Sequence, residues 1–265
     1  MQAADLIDAQ VLMPALARAE GRPLILGLAG AQGSGKSTLA AALAANLRQR
    51  GMLAAAVSLD DFYLPLSRRL ALAAHWHPLL ATRGVPGTHD LPLLLNVLNR
   101  VRAGQPLALP VFDKLADDRL PPQHWRRLLP LDVLILEGWC VGARAQPAAR
   151  LAAPVNSLET DEDPQAIWRT HANHALAGPY QRVWNRLDAL VFLAAPDWAS
   201  VPRWRAEQEA GLARATGRPG MDAAALTRFC AHYERLTCWQ LAHTPSHADL
   251  VIRLDRQRAM RRGPA

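Results

Sequence analysis

An α/β fold built on a mostly parallel sheet is predicted by three observations. Short apolar runs alternate with helix-forming stretches along the chain, the rhythm of strands buried on both faces between helices. The run Gly30-Ala31-Gln32-Gly33-Ser34-Gly35-Lys36-Ser37-Thr38 fits the phosphate-binding loop pattern G-x-x-x-x-G-K-[ST], with an apolar segment at 23–29 before it and Ala/Leu-rich helical sequence at 39–47 behind it. A length of 265 residues, 50% of them hydrophobic, is enough to bury one large core, so one domain with insertions is expected over 1–265.

The elements follow in order. Residues 23–29 read as a buried first strand, and 53–59 as a second that ends at Asp60-Asp61-Phe62-Tyr63. A loop region rich in Trp, His and Pro comes next. Asp90 has the character of an N-cap for a helix to about Arg102, with Pro92 tolerated in its first turn. Residues 106–112 are a third strand candidate, and 131–136 form the most convincing central strand. Asp163-Pro164 opens another helix with a capping acid and an N1 proline, after a linker-like stretch at 145–163. A strand at 189–194 is broken by Pro196. Helical segments at 203–215 and 222–241 flank a Gly217-Arg218-Pro219-Gly220 turn, and 250–254 closes the sheet. The tryptophans, Trp76 among them, read as packing residues.

Composition narrows the setting. Lysine and arginine total 30, yet only Lys36 and Lys114 are lysine, which leaves 28 arginines. In a chain that uses arginine wherever a generic cation serves, a retained lysine marks a place that needs a compact ammonium. The net charge of +7 comes from scattered arginines and argues against a nucleic-acid track; the dense cluster Arg253, Arg256, Arg258, Arg261, Arg262 reads as a solvated basic tail at about 255–265. Cys140, Cys230 and Cys238 show neither zinc spacing nor a disulfide framework. The first residues carry Asp5 and Asp8 rather than a secretion signal, and no apolar run reaches membrane-span length, so a cytoplasmic protein without a membrane partner is expected.

The chemistry-bearing residues lie where such sheets gather ligands, at the C-terminal ends of strands. In the loop, glycines let several N–H groups converge on phosphate oxygens, so Gly30, Ala31, Gln32, Gly33, Ser34, Gly35, Lys36, Ser37 and Thr38 are expected to bind ATP. Lys36 reaches the β/γ-phosphates, and the Ser37 hydroxyl ligates Mg²⁺. Glu137, at the tip of 131–136, stands where a carboxylate holds Mg²⁺ through water and orients Ser37. Asp60 ends the second strand, where it can take a proton from an alcohol attacking the γ-phosphate or organise the waters on Mg²⁺; strand alternation turns its neighbour Asp61 elsewhere. The turn-rich string from Arg83 to Asp90 offers donors for a carboxylate or phosphate at Arg83 and His89, or else is a plain proline-stiffened loop. Asp113 and Lys114 suit acceptor hydroxyls and an acceptor carboxylate respectively, or form a surface ion pair. His171 and His174 share a helix face without metal-ligand spacing.

These motifs resemble the uridine kinase, pantothenate kinase and phosphoribulokinase superfamily in the loop at 30–38, in Asp60-Asp61-Phe62-Tyr63, in Pro110-Val111-Phe112-Asp113 with Arg119, and in Glu137-Gly138. Within it, Thr82-Arg83-Gly84-Val85-Pro86-Gly87-Thr88-His89-Asp90, Phe112-Asp113-Lys114, Glu137-Gly138-Trp139 and Trp204-Arg205-Ala206-Glu207-Gln208-Glu209 are similar to the D-glycerate 3-kinase family, over about 24–252. The chain departs from that family's pattern in having Val-Phe-Asp-Lys-Leu at 111–115 and Cys140-Val141-Gly142 after Trp139. The resemblance implies a P-loop kinase fold with a five-stranded sheet, an acceptor-loop region at about 62–90 and a helical lid at about 197–221. It further implies Asp60 as catalytic base, a contact of the Asp113–Arg119 region with the acceptor, and a lid arginine swinging onto the transferring phosphoryl group. Arg205 is preferred there over Arg203.

The function expected is an ATP- and Mg²⁺-dependent kinase transferring the γ-phosphoryl group to a primary alcohol, by resemblance D-glycerate, giving 3-phosphoglycerate. Catalytic duty falls on Asp60, Lys36 and Arg205, metal ligation on Ser37, Glu137 and Asp60, and acceptor binding on Arg83, His89, Asp113, Lys114 and Arg119. Two alternatives stay open: a nucleoside, pantothenate-like or sugar acceptor, and a P-loop ATPase or switch acting through a protein or nucleic-acid partner.

Overall fold

The computed structural model describes residues 2–217 and 220–261. Arg218 and Pro219 of the expected 217–220 turn, and Arg262 of the basic cluster, lie outside the described residues. In chain order the elements are α1 (Ala3–Ile7), α2 (Met13–Ala19), β1 (Leu24–Gly30), α3 (Lys36–Gln49), β2 (Ala54–Ser58), α4 (Leu66–His75), α5 (Leu91–Arg102), β3 (Leu107–Leu109), β4 (Phe112–Asp113), β5 (Asp118–Arg119), β6 (Arg126–Leu128), β7 (Val133–Gly138), α6 (Ser157–Glu162), α7 (Ile167–Ala175), α8 (Gln181–Trp184), β8 (Ala189–Ala194), α9 (Ser200–Thr216), α10 (Ala223–His243) and β9 (Leu250–Arg253).

Five strands pair in the order β2-β7-β1-β8-β9, every pair parallel. The three central strands are buried at every position, as near-continuous apolar runs require when helices cover both faces. Alternation sorts their side chains: Leu24, Leu26, Leu28, Val133, Ile135, Val191 and Leu193 meet α3 and the N-terminal helices, while Ile25, Leu134, Leu136 and Phe192 join the layer containing α5, α8 and α10. The register places Glu137 opposite both Leu28 and Ser58, so the tips of β1, β2 and β7 end together at one rim. No helix among the described residues is long and apolar enough to cross a membrane.

Several expected elements differ. Residues 106–112 are not a strand of the main sheet: the Pro110-Val111 break divides them into β3, paired antiparallel with β6, and β4, paired with β5 in a short hairpin. The second strand stops at Ser58, because the Ser58 hydroxyl accepts from the Asp60 N–H at 3.2 Å and turns 59–62 into a 3₁₀ turn; strand alternation therefore does not govern Asp60 and Asp61. The region after Tyr63 holds the helix α4, whose Arg69 is fully buried and donates to the carbonyls of Leu64, Ala81 and Asp117. Trp76 is 52% exposed rather than core.

The stretch 145–163 is not a linker, since it contains α6 and the fully buried Glu159 and Asp163. Asp163 caps the next helix from a distance, accepting from the Trp168 and Arg169 N–H groups at 2.9 and 3.1 Å, so Pro164 stays outside it. Glu159 pairs with Arg235 at 2.6 Å and Asp163 with Arg169 at 3.0 Å. Charges this deep persist only when paired and hydrogen-bonded, and here the pairs tie α6, α7 and α10 together behind the acceptor loop.

Candidate active site

The loop at 30–38 joins β1 to α3, with Gly33 at φ +73° and Gly35 at φ +86°, left-handed conformations that glycine adopts without steric penalty. A Cβ on Gly33 would lie 2.7 Å from Cβ of Trp204, so the loop is also pressed against the fully buried tryptophan of α9. Ser37 Oγ donates to Glu137 Oε1 at 2.9 Å, linking the loop to the tip of β7. Glu137 is 5% exposed and its Oε2 has no partner among the described residues; Ser34 Oγ and Gln32 Oε1 are likewise buried without one among them. An anionic oxygen left without a donor beside a hydroxyl fits a hydrated divalent cation between the Ser37 and Glu137 side chains.

An open cleft of about 660 Å³ runs over this loop, lined by Lys36, Ser37, Thr38, Asp60, Glu137 and Arg205 among others. A smaller pocket of about 70 Å³ adjoins it and shares Gln32, Lys36, Asp60, Lys114 and Arg205 with the cleft; Tyr63, Arg83, Trp139, Phe229 and Tyr233 complete its wall. Asp60 sits at the junction with both oxygens engaged: Tyr63 Oη donates to Oδ1 at 2.9 Å and Lys114 Nζ to Oδ2 at 2.7 Å. Burial alone would push its carboxyl up, but the Lys114 ammonium, its hydrogen bond and the more distant Lys36 outweigh this and hold the pKa at about 2. Burial and the adjacent carboxylate drive the Tyr63 phenol well above its ordinary value, so it stays a donor. Asp61 lines only the nucleotide cleft, where it accepts from the Phe112 N–H at 3.4 Å and burial raises its pKa.

The remaining candidates divide. Lys114 pairs with Asp60 itself rather than with a bystander. Arg83 reaches the pocket while its guanidinium pairs with Asp117, donates to the Lys114 carbonyl at 3.3 Å and lies 5.5 Å over the Phe112 ring. Arg205 lines both cavities, pairs with Glu209 one turn on, lies 4.8 Å over Phe229 and keeps an Nε with no partner among the described residues. Arg203 instead turns to the Arg256 carbonyl and lines neither. Arg205→Ala is expected to lower kcat about thirtyfold, limited because Lys36 shares the charge, while Arg203→Ala leaves kcat within about threefold; steady-state rates of the two variants check this.

Three predicted acceptor residues are not brought to the pocket. Asp113 caps its own hairpin turn, accepting from the N–H groups of Leu115 and Ala116 at 2.8 and 3.1 Å. His89 stacks on Tyr63 with ring centroids 4.6 Å apart, meets Tyr180 Oη at 2.6 Å, and is held neutral by burial with a pKa of about 4. Arg119 pairs with Asp90 at 2.8 Å and, with His89, lines a separate cavity beyond the Tyr63 ring. Of the three, His89 backs the Tyr63 wall of the pocket.

Arg253, Arg256 and Arg261 of the basic cluster are exposed, as a solvated tail requires, but Arg258 is not. Leu254 bridges Met260, and the turn between them carries Arg258 back to the phosphate loop, where Nε donates to the Gly33 carbonyl at 2.8 Å. Composition alone hides this residue among 28 arginines. Tyr63 was within reach of sequence reasoning, because it follows Asp60 by three residues in a turn.

A glycine loop, a carboxylate engaging its serine and a basic pocket at the loop's edge define a nucleotide-dependent phosphotransferase of the P-loop class. A family model described as methylmalonyl Co-A mutase-associated GTPase MeaB matches residues 2–64, the part containing the phosphate loop and β2. The chain is 36% identical over 225 residues to the uncharacterized kinase mug58 of Schizosaccharomyces pombe, covering 81% of this chain and 79% of that one. It is 30% identical over 223 residues to the chloroplastic D-glycerate 3-kinase of Arabidopsis thaliana, covering 80% of this chain and 46% of the plant protein's length. The solved D-glycerate 3-kinase of Cryptococcus neoformans superposes with a TM-score of 0.80 at 26% identity, covering 98% of each chain. The chain belongs to the family of P-loop small-molecule kinases that includes mug58, and it is similar to the D-glycerate 3-kinases named above.

Proposed function

We propose that the protein transfers the γ-phosphoryl group of ATP to a primary hydroxyl of a small hydroxy acid, D-glycerate first among them, to give 3-phosphoglycerate. One observation carries the choice of acceptor class: a pocket of about 70 Å³ holds a single carboxylate, Asp60, among Lys36, Arg83, Lys114 and Arg205. That volume admits roughly five water-sized groups, which suits a three-carbon acid better than a nucleoside. Lys114, Arg83 and Arg205 rest on Asp60, Asp117 and Glu209, so an acceptor that brings its own negative charge is held by exchange of these partners. D-glycerate is also what the plant and Cryptococcus relatives are named for.

In this reading the loop amides and Lys36 cradle the triphosphate, and Ser37 and Glu137, with Asp60 through water, hold Mg²⁺. The ion supplies neutralisation of charge on the phosphates. Tyr63 fixes one Asp60 oxygen; Lys114, 61% exposed on a flexible stem, is the partner free to leave the other. The acceptor's carboxylate draws Lys114 and Arg83 toward itself, and its hydroxyl takes the vacated Asp60 oxygen. With Lys114 drawn away, burial restores basicity to the Asp60 carboxylate, which orients this hydroxyl and accepts its proton late, as a loose phosphoryl-transfer transition state allows. Arg205 exchanges Glu209 for the transferring group. Its helix is anchored by Trp204 and Val201, both buried, so a side-chain rotation suffices in place of a swinging lid.

The test is Mg²⁺-dependent ATP consumption against D-glycerate, L-glycerate, uridine, pantothenate and ribulose 5-phosphate. Stimulation by D-glycerate with 3-phosphoglycerate as product supports the proposal. Stimulation by another panel member alone overturns the acceptor and leaves the kinase.

A further inference from the structure

Arg258 occupies a position that the transfer chemistry above does not use. Its φ of +68° is one that side-chain-bearing residues rarely adopt, and the surrounding turn is built to hold it. Asp255 Oδ1 accepts from the N–H groups of Gln257 and Ala259, both at 2.8 Å, and the Arg258 N–H donates to the Asp255 carbonyl at 3.0 Å. From there the guanidinium makes three contacts at once. Nε donates to the Gly33 carbonyl at 2.8 Å, Nη2 pairs with Glu207 on α9, and the plane lies 5.5 Å over the Trp204 ring. The same turn presents the Arg256 carbonyl to Trp204 Nε1 at 2.9 Å and to Arg203.

We propose that Arg258 is a positioning residue that braces the phosphate-binding loop against α9 and thereby sets nucleotide affinity. The physical reason lies in the glycines. A loop with Gly at 30, 33 and 35 has the freedom to wrap a phosphate and equal freedom to collapse when none is bound. For its N–H groups to face the phosphates, carbonyls must face the other way, and Arg258, at the edge of the nucleotide cleft that it lines together with Glu207, captures one. The N–H of the same peptide unit, that of Ser34, donates to the Ala31 carbonyl at 3.2 Å, so this plane is fixed at both ends. Binding then orders less chain, and the saving appears as affinity. The inference rests on nucleotide binding by the loop and is independent of which acceptor is used.

Direct titration of ADP with Mg²⁺, which needs no acceptor, tests it alongside steady-state kinetics. Arg258→Ala is expected to raise the Kd for ADP and the KM for ATP about tenfold, with kcat and the acceptor KM within about twofold. Glu207→Gln, which loosens the far end of the brace, shifts the same two quantities in the same direction. Arg258→Lys keeps the charge without the fork and does not restore affinity. Should Arg258→Ala misfold, the Lys and Glu207 variants still decide the question. Unchanged ADP affinity in these variants overturns the proposal. So does a loss in Arg258→Ala with full affinity in Glu207→Gln, which would make Arg258 a direct nucleotide contact.

Discussion

Asp60→Asn is expected to lower kcat with the true acceptor about 1,000-fold while leaving the Kd for ADP within about threefold. Asparagine keeps the shape and the Tyr63 contact but presents an amide where an anion is needed. Both Asp60 functions are then lost, since the amide neither takes the hydroxyl proton nor draws the hydroxyl into line. The nucleotide is held mainly by the loop and Lys36, on a different element, so binding and chemistry separate. Turnover within tenfold of the native rate would remove Asp60 from the role of base and leave it as an organiser of water. Rapid-quench measurement of the first turnover distinguishes a slowed chemical step from slowed release.

Lys114→Met carries the second large effect. With D-glycerate, kcat/KM is expected to fall about 100-fold, because an acceptor carboxylate loses a charge-assisted partner in a pocket partly closed to water. Glycerol, which has the hydroxyl and no carboxylate, should lose little or nothing, since the same change frees the Asp60 oxygen that Lys114 occupies. The pH profile supplies a second reading. In the acceptor-free enzyme Lys114 holds Asp60 at about 2 against burial, and a carboxylate acts as base only above its pKa. Removing the ammonium leaves burial to push that pKa upward. The acid limb of kcat/KM, which reports the free enzyme, therefore moves to higher pH. An unmoved limb with an intact D-glycerate preference would show that Lys114 neither guards Asp60 nor reads the acceptor.

The sheet and its phosphate loop were legible because their causes are local. Apolar runs such as 133–136 and 189–194 have one stable placement between helices, and Gly33, Gly35 and Lys36 are dictated by the shape of a phosphate. Glu137 was legible as a candidate from its place at the end of β7, and Asp60 from its nearness to the end of β2, although it lies in the 3₁₀ turn beyond that strand. Other placements have two causes. Asp113 is taken by its own turn, a local competitor for its carboxylate, whereas nothing near His89 reveals that it will bind Tyr180, 91 positions away. The run 106–112 has the pattern of a sheet strand, but β2 already forms that edge and Pro110 blocks a continuous ladder. α4 was hidden by its His, Trp and Pro neighbours, although its burial of Arg69 at 0% exposure is as complete as that of any core leucine.

The contact between Gly33 and Arg258 joins residues 225 positions apart, and β1, at the centre of the sheet, finds its neighbours only in β7 and β8. A ribosome delivers these pieces in order, so the glycine loop emerges long before anything exists to brace it. Through most of synthesis it has no Trp204 beneath it, no Arg258 at its edge and no completed sheet to stand on. Pairings this distant in sequence close slowly, and they leave apolar strand faces uncovered while they wait. The nucleotide cleft is therefore among the last parts of the molecule to take shape, and a nascent chain stalled before residue 258 carries a phosphate loop without its clasp.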